Sequence, residues 1–120
     1  MTVNILGIPY KVTKKKYDDD PFFAEKSFDG YCSEFTKQIV YCDMRTFPGW
    51  ENEDQEAIKA CEKGTLRHEI VHAFLNESGL SFSASHIHGP WSKCEELVDW
   101  IAIQGPKIYR AWKAVGAVEQ

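Results

Sequence analysis

The sequence predicts a single α+β domain with its strands in the first half and its helices in the second. Three observations carry this. Two segments rich in strand formers, Asn4–Thr13 and Gln38–Met44, precede residue 50. After Asn52, apolar residues recur at helical spacing. And 120 residues of 43% hydrophobic content suffice for one core, with no room for a second comparable domain. The expected architecture over residues 1–120 is a small N-terminal sheet, built from an edge strand and a hairpin, packed on two helices.

The elements follow in order. Gly7 and Pro9 interrupt Asn4–Thr13; Pro9 has no amide donor, which predicts an edge strand or one that begins anew after the proline. Lys14-Lys15-Lys16 meets Asp18-Asp19-Asp20 and reads as a solvated turn. Tyr17–Asp29 is polar and carries Pro21, which predicts a loop with a short turn of helix. Gly30–Glu34 and Gln38–Met44, separated by Phe35-Thr36-Lys37, predict a hairpin. Phe47-Pro48-Gly49-Trp50 punctuates the chain. Asn52–Ser78 predicts a helix with Ile58, Leu66, Ile70 and Phe74 as its buried stripe, a weak point at Gly64-Thr65 where it continues or restarts, and Gly79 as a left-handed cap. Ser81–Trp91 reads as a loop. Ser92 opens a second helix, running to Trp112 or Val115, with Leu97, Trp100, Ile101, Ile108 and Trp112 inward and Gly105-Pro106 expected to kink or split it.

Composition excludes several classes. Fourteen Lys+Arg against 18 Asp+Glu give a net charge of -4, which argues against a nucleic-acid partner bound by phosphate neutralisation. No apolar stretch approaches the roughly 20 residues of a membrane-spanning helix, so no membrane partner is expected. The N-terminus lacks the charged and apolar regions of a signal peptide, and the expected location is cytoplasmic. Cys32, Cys42, Cys61 and Cys94 form no C-x-x-C pair and are expected as free thiols, with Cys32 and Cys42 placed to face one another across the hairpin.

The chemistry lies in His68-Glu69-Ile70-Val71-His72, an H-E-x-x-H motif within the first helix. Residues four apart share a helix face, so both imidazoles reach one cation, and nitrogen ligands at this spacing suit Zn²⁺. Glu69 stands where a carboxylate acts as general base on water without being a ligand. A third ligand is needed, and Glu95, four residues before Asp99, is the candidate, with Asp99 orienting a ligating histidine. Ser92-Lys93-Cys94-Glu95 also has the S-x-x-E form of a capping box; in that role Glu95 would leave Glu96 as the ligand. His86 and His88 are loop alternatives, as ligands or as stabilisers of an oxyanion, and Tyr109 is a further electrophilic candidate. Leu75 and Ser78 stand where a metzincin needs glycine and histidine, which excludes that class.

Thr65–Phe74 resembles the active-site helix of small zincins of the gluzincin type. Glu95-x-x-x-Asp99 followed by Trp100-Ile101-Ala102 is similar to the glutamate helix of the ImmA/IrrE-type metallopeptidases, a group common in phages and prophages. The resemblance covers residues 65 to 102; Val71 departs from the glycine usual before the second histidine. It implies a zincin-like fold, one zinc ion, a water nucleophile and hydrolysis of a protein or peptide substrate. The alternative reading is a zincin-like metal-binding interaction module without protease activity.

Overall fold

In the computed structural model, which describes residues 1–82 and 89–118, the first half of the chain forms a four-stranded mixed sheet in the order β1-β2-β4-β3. β1 (Thr2–Ile5) and β2 (Ile8–Lys15) are an antiparallel hairpin, so the one interrupted strand expected over Asn4–Thr13 is in fact two. The chain reverses at Leu6-Gly7, both at positive φ (51° and 89°), the backbone a two-residue type I′ turn requires. Asn4 Oδ1 accepts the Gly7 amide at 2.7 Å. Pro9 does not mark an edge, since β2 is interior. Ile5 and Ile8 flank the turn and close it, so the next pair, Asn4 and Pro9, needs no ladder bond, and β4 joins β2 only from Lys11 onward.

β3 (Gly30–Ser33) and β4 (Gln38–Cys42) form the expected hairpin, and β4 runs parallel to β2. Parallel neighbours need a crossover. It is supplied by a 3₁₀ turn at Tyr17–Asp19, by α1 (Pro21–Lys26), capped by Asp20, and by β3 itself. Lys14 and Lys15 are not a solvated turn: they extend β2 and pair with Glu62 (2.9 Å) and Asp20 (3.4 Å). Strand alternation puts Tyr10, Val12 and Ile39 in one apolar cluster with Ala73, and Val40 and Cys42 on the opposite face with Phe23, Met44 and Ile58. All four cysteines are free; β3 sets Cys32 opposite Ile39, not Cys42.

Helix α2 (Gln55–Glu77) is capped by Asp54 and runs unbroken through Gly64-Thr65. Its buried face is not the expected stripe. Ile58, Glu62, Thr65, Glu69, Ala73 and Asn76 are buried, whereas Phe74 is 41% exposed and Leu66 and Ile70 only flank the core. A polar inward face is tolerated where partners are provided. Glu62 accepts the Met44 amide at 2.9 Å and pairs with Lys14, and Thr65 donates to Asp29 at 2.8 Å.

Helix α3 (Glu95–Ala114) follows a 3₁₀ turn at Trp91–Lys93. It opens three residues later than expected, because Ser92 is fully buried in that turn and Cys94 holds the cap position. It is not split at Gly105-Pro106. Only Val98 and Ala102 are buried; Trp100 and Trp112, expected inward, are 57% and 55% exposed. The reason is that α3 rests on α2 rather than on the sheet, and helix-on-helix contact covers a narrow strip. Among the described residues no helix is long and apolar enough to cross a membrane.

Two predictions concern this frame. A Cβ on Gly30 would lie 2.6 Å from Thr65 Cγ2 and 3.0 Å from the Val40 carbonyl. Gly30→Ala should therefore destabilise the fold by about 1–3 kcal/mol in urea unfolding. Asp20 is held by its surroundings: burial alone would raise its carboxyl pKa, but the Tyr31 hydroxyl at 2.6 Å, the Phe22 amide and Lys15 together bring it below its ordinary value. A carboxyl lowered in the folded state stabilises above its unfolded pKa, about 4, and that contribution is lost as pH falls through the folded value. Asp20→Asn should flatten the decline of stability below about pH 4; an unchanged slope would contradict the assignment.

Candidate metal centre

His68 and His72, one turn apart on α2, present their rings to α3. Their Nε2 atoms lie 3.1 Å from each other. Glu95, the first residue of α3, sets Oε2 3.0 Å from His68 Nε2 and Oε1 3.0 Å from His72 Nε2. The outer ring nitrogens are also engaged: His72 Nδ1 is 2.6 Å from the Ser92 carbonyl, and His68 Nδ1 is 2.7 Å from Asp99 Oδ1. A carbonyl and a carboxylate only accept. Both Nδ1 atoms therefore carry hydrogen, and in the neutral form of each ring Nε2 presents its lone pair. Burial moves the His72 pKa below its ordinary value, which favours the neutral ring.

With both rings neutral, two lone pairs and a carboxylate converge on one point, an arrangement that suits a cation. Tetrahedral zinc with bonds near 2.1 Å sets its donors about 3.4 Å apart. Two imidazoles and one carboxylate, with a fourth position left open, are a donor set of catalytic zinc sites. The residues fit the ion.

These side chains line a cleft of about 570 Å³. Helix α2 forms its floor, α1 and β3 one wall, and α3 the other. Glu69 lines the cleft too but is not one of the three converging residues. Burial pushes its carboxyl up to about 7; His68 opposes this, and the negative charges of Glu95 and Asp29 add to it. Cys32 lies nearby with its thiol pushed up to about 12, first by burial and then by Glu69, which favours the protonated thiol.

Of the other candidates, Glu96 is exposed and lies outside the converging group. The Ser92–Glu95 capping box does not form, because Ser92 is not the cap. Tyr109 is half exposed on the distal part of α3 and does not line the cleft. His86 and His88 lie outside the described residues. Sequence reasoning missed Asp29, Gly30 and Asn76, all in the cleft lining, and passed over Phe22 and Arg67, which also line it. Gly30 had a detectable signal as the glycine that opens a strand; Asp29 and Asn76 had none, since only the fold brings them here. Comparison with models of known protein families, with curated proteins and with solved structures finds no match for this chain.

The geometry predicts one Zn²⁺ per chain in a chelator-competition titration. His72→Ala or Glu95→Ala should weaken it by at least about 100-fold, and Asp99→Ala by about 10–100-fold through loss of ring orientation. Unaltered affinity in Asp99→Ala would show that its contact with His68 does not position the ligand.

Proposed function

We propose that this chain is a zinc-dependent peptidase in which His68, His72 and Glu95 hold the ion, Asp99 orients His68, and Glu69 is the general base. The observation that carries this is the convergence of two imidazoles, their tautomers fixed by Asp99 and Ser92, on one carboxylate, with a second carboxylate, Glu69, in the same cleft but not part of the converging group. Zinc held by these three residues would supply Lewis acidity, making water acidic enough to lose a proton near neutral pH and polarising the scissile carbonyl. Glu69 takes that proton and delivers it to the departing amine nitrogen, so that the carboxyl ends each turnover as it began. Glu69 is only 7% exposed within that cleft.

The sheet supplies a place for an extended substrate. β3 is an edge strand along the cleft. The Cys42 amide donates to the Asp29 carbonyl at 2.8 Å, which sets the ladder so that Gly30 and Cys32 turn their N–H and C=O groups to the open side. A peptide in β conformation can pair there, with main-chain hydrogen bonds giving register and leaving side chains free for selection.

Glu69→Gln should retain zinc with near wild-type affinity while kcat/KM on a cleavable peptide falls by about 10²–10⁴-fold. Full activity in the variant would remove Glu69 from the mechanism. Stoichiometric zinc with no cleavage of any peptide by the wild-type chain would instead favour a metal-binding interaction module.

A further inference from the structure

Helix α2 carries one row of residues, each four after the last, that all line the cleft: Ala60, Gly64, His68, His72 and Asn76. Three are polar, and two are the smallest side chains available. Glycine inside a helix is destabilising relative to alanine. Nothing in the fold requires it at Gly64: a Cβ there would meet no atom within 4 Å. What the small residues leave is space, beginning one helical turn, about 6 Å, from His68.

That space has apolar walls. On one side stand Phe22, Phe28 and Tyr31, with ring centroids 6.1 Å apart for Phe22–Phe28 and 4.5 Å for Phe22–Tyr31. On the other side, α3 runs antiparallel to α2: Ser92 meets His72 and Asp99 meets His68, so Ala102 and Ile103 continue toward Gly64. Phe28 and Ile103 are 58% and 60% exposed, although both line the cleft. The Asp29 carboxylate nearby is occupied by the Thr65 hydroxyl.

From these features we infer that the hollow over Ala60 and Gly64 is a specificity subsite that takes a large apolar side chain, of aromatic size, from the residue flanking the scissile bond. The inference rests on the peptidase reading of the same cleft. A side chain of that size would fill the floor left by Gly64 and cover Phe28 and Ile103 together.

The test uses two N-acyl peptide hydroxamates that differ only in a benzyl or a methyl side chain, with Gly64→Leu to fill the hollow and Gly64→Ala as the folding control. The zinc-loaded wild-type chain should bind the benzyl compound about 30-fold more tightly, the order expected for burying a phenyl ring in place of a methyl. Gly64→Leu should bring that ratio close to one without altering zinc affinity, and Gly64→Ala should keep most of it. A wild-type ratio near one, or a ratio that survives Gly64→Leu, overturns the subsite. Selectivity without cleavage of any peptide would uphold the hollow and sink the peptidase reading; cleavage without selectivity would do the reverse. For a chain that holds no zinc, the Ile103 methyl resonance serves as the readout. A shift with the benzyl compound alone supports the hollow, and an equal shift or none overturns it.

Discussion

The hydrogen bonds that His68 and His72 make through Nδ1 govern the rest of the site. The His68 bond crosses from α2 to α3 and the His72 bond from α2 to the turn that leads into α3, so together they fix the ring orientations and the register of one helix against the other. A slip of one turn, about 5.4 Å, would carry Glu95 out of reach of both Nε2 atoms. The 3₁₀ turn at Trp91–Lys93 is part of this arrangement. In the body of an α-helix the Ser92 carbonyl would accept an amide four residues on; in the turn before α3 it is available to His72. Three groups that face the two imidazoles, a carbonyl and two carboxylates, therefore come from within eight residues of sequence, Ser92 to Asp99.

Helix α2 does two jobs with adjacent rows of its surface. The row from Glu62 through Thr65, Glu69 and Ala73 is buried against the sheet, and the row from Ala60 through Gly64, His68 and His72 is turned into the cleft. Seating the first row decides where the second points. Gly30 permits that seating, because any side chain there would press on Thr65 and approach Glu69. The polar character of the buried row follows from its position: it crosses the sheet close to the cleft, where Asp29, Lys14 and the Met44 amide supply partners.

Particular residues show what the sequence could and could not disclose. The H-E-x-x-H spacing and the Glu95/Asp99 spacing are local helical geometry, and local geometry is legible without a fold. The β3–β4 hairpin was legible for the same reason. The β1–β2 reversal was not, because Leu6 accepts a left-handed backbone that a leucine seldom signals. The buried face of α2 was misread because Leu66, Ile70 and Phe74 are the apolar choice, whereas Glu62 and Thr65 are buried by virtue of partners distant in sequence. Trp100 and Trp112 were misplaced by the same logic: an apolar side chain reads as inward until the width of the neighbouring surface is known. Asp29, just before β3, reaches the cleft because β3 packs against α2, which no short-range pattern encodes.

Helix α3 is joined to the remainder of the molecule chiefly through α2, with two buried residues among its 20. The converging donors are therefore shared unevenly, two on a firmly seated helix and one on a thinly seated one. Local opening of α3 would withdraw Glu95 and Asp99 together while the sheet and α2 stayed intact. An ion held between them would act as a staple, making its occupancy and the docking of α3 a single linked equilibrium. The backbone amides of α3 then become a gauge of that equilibrium, with hydrogen exchange slowing as free ion concentration rises, while the amides of β2 and β4 hold a constant rate.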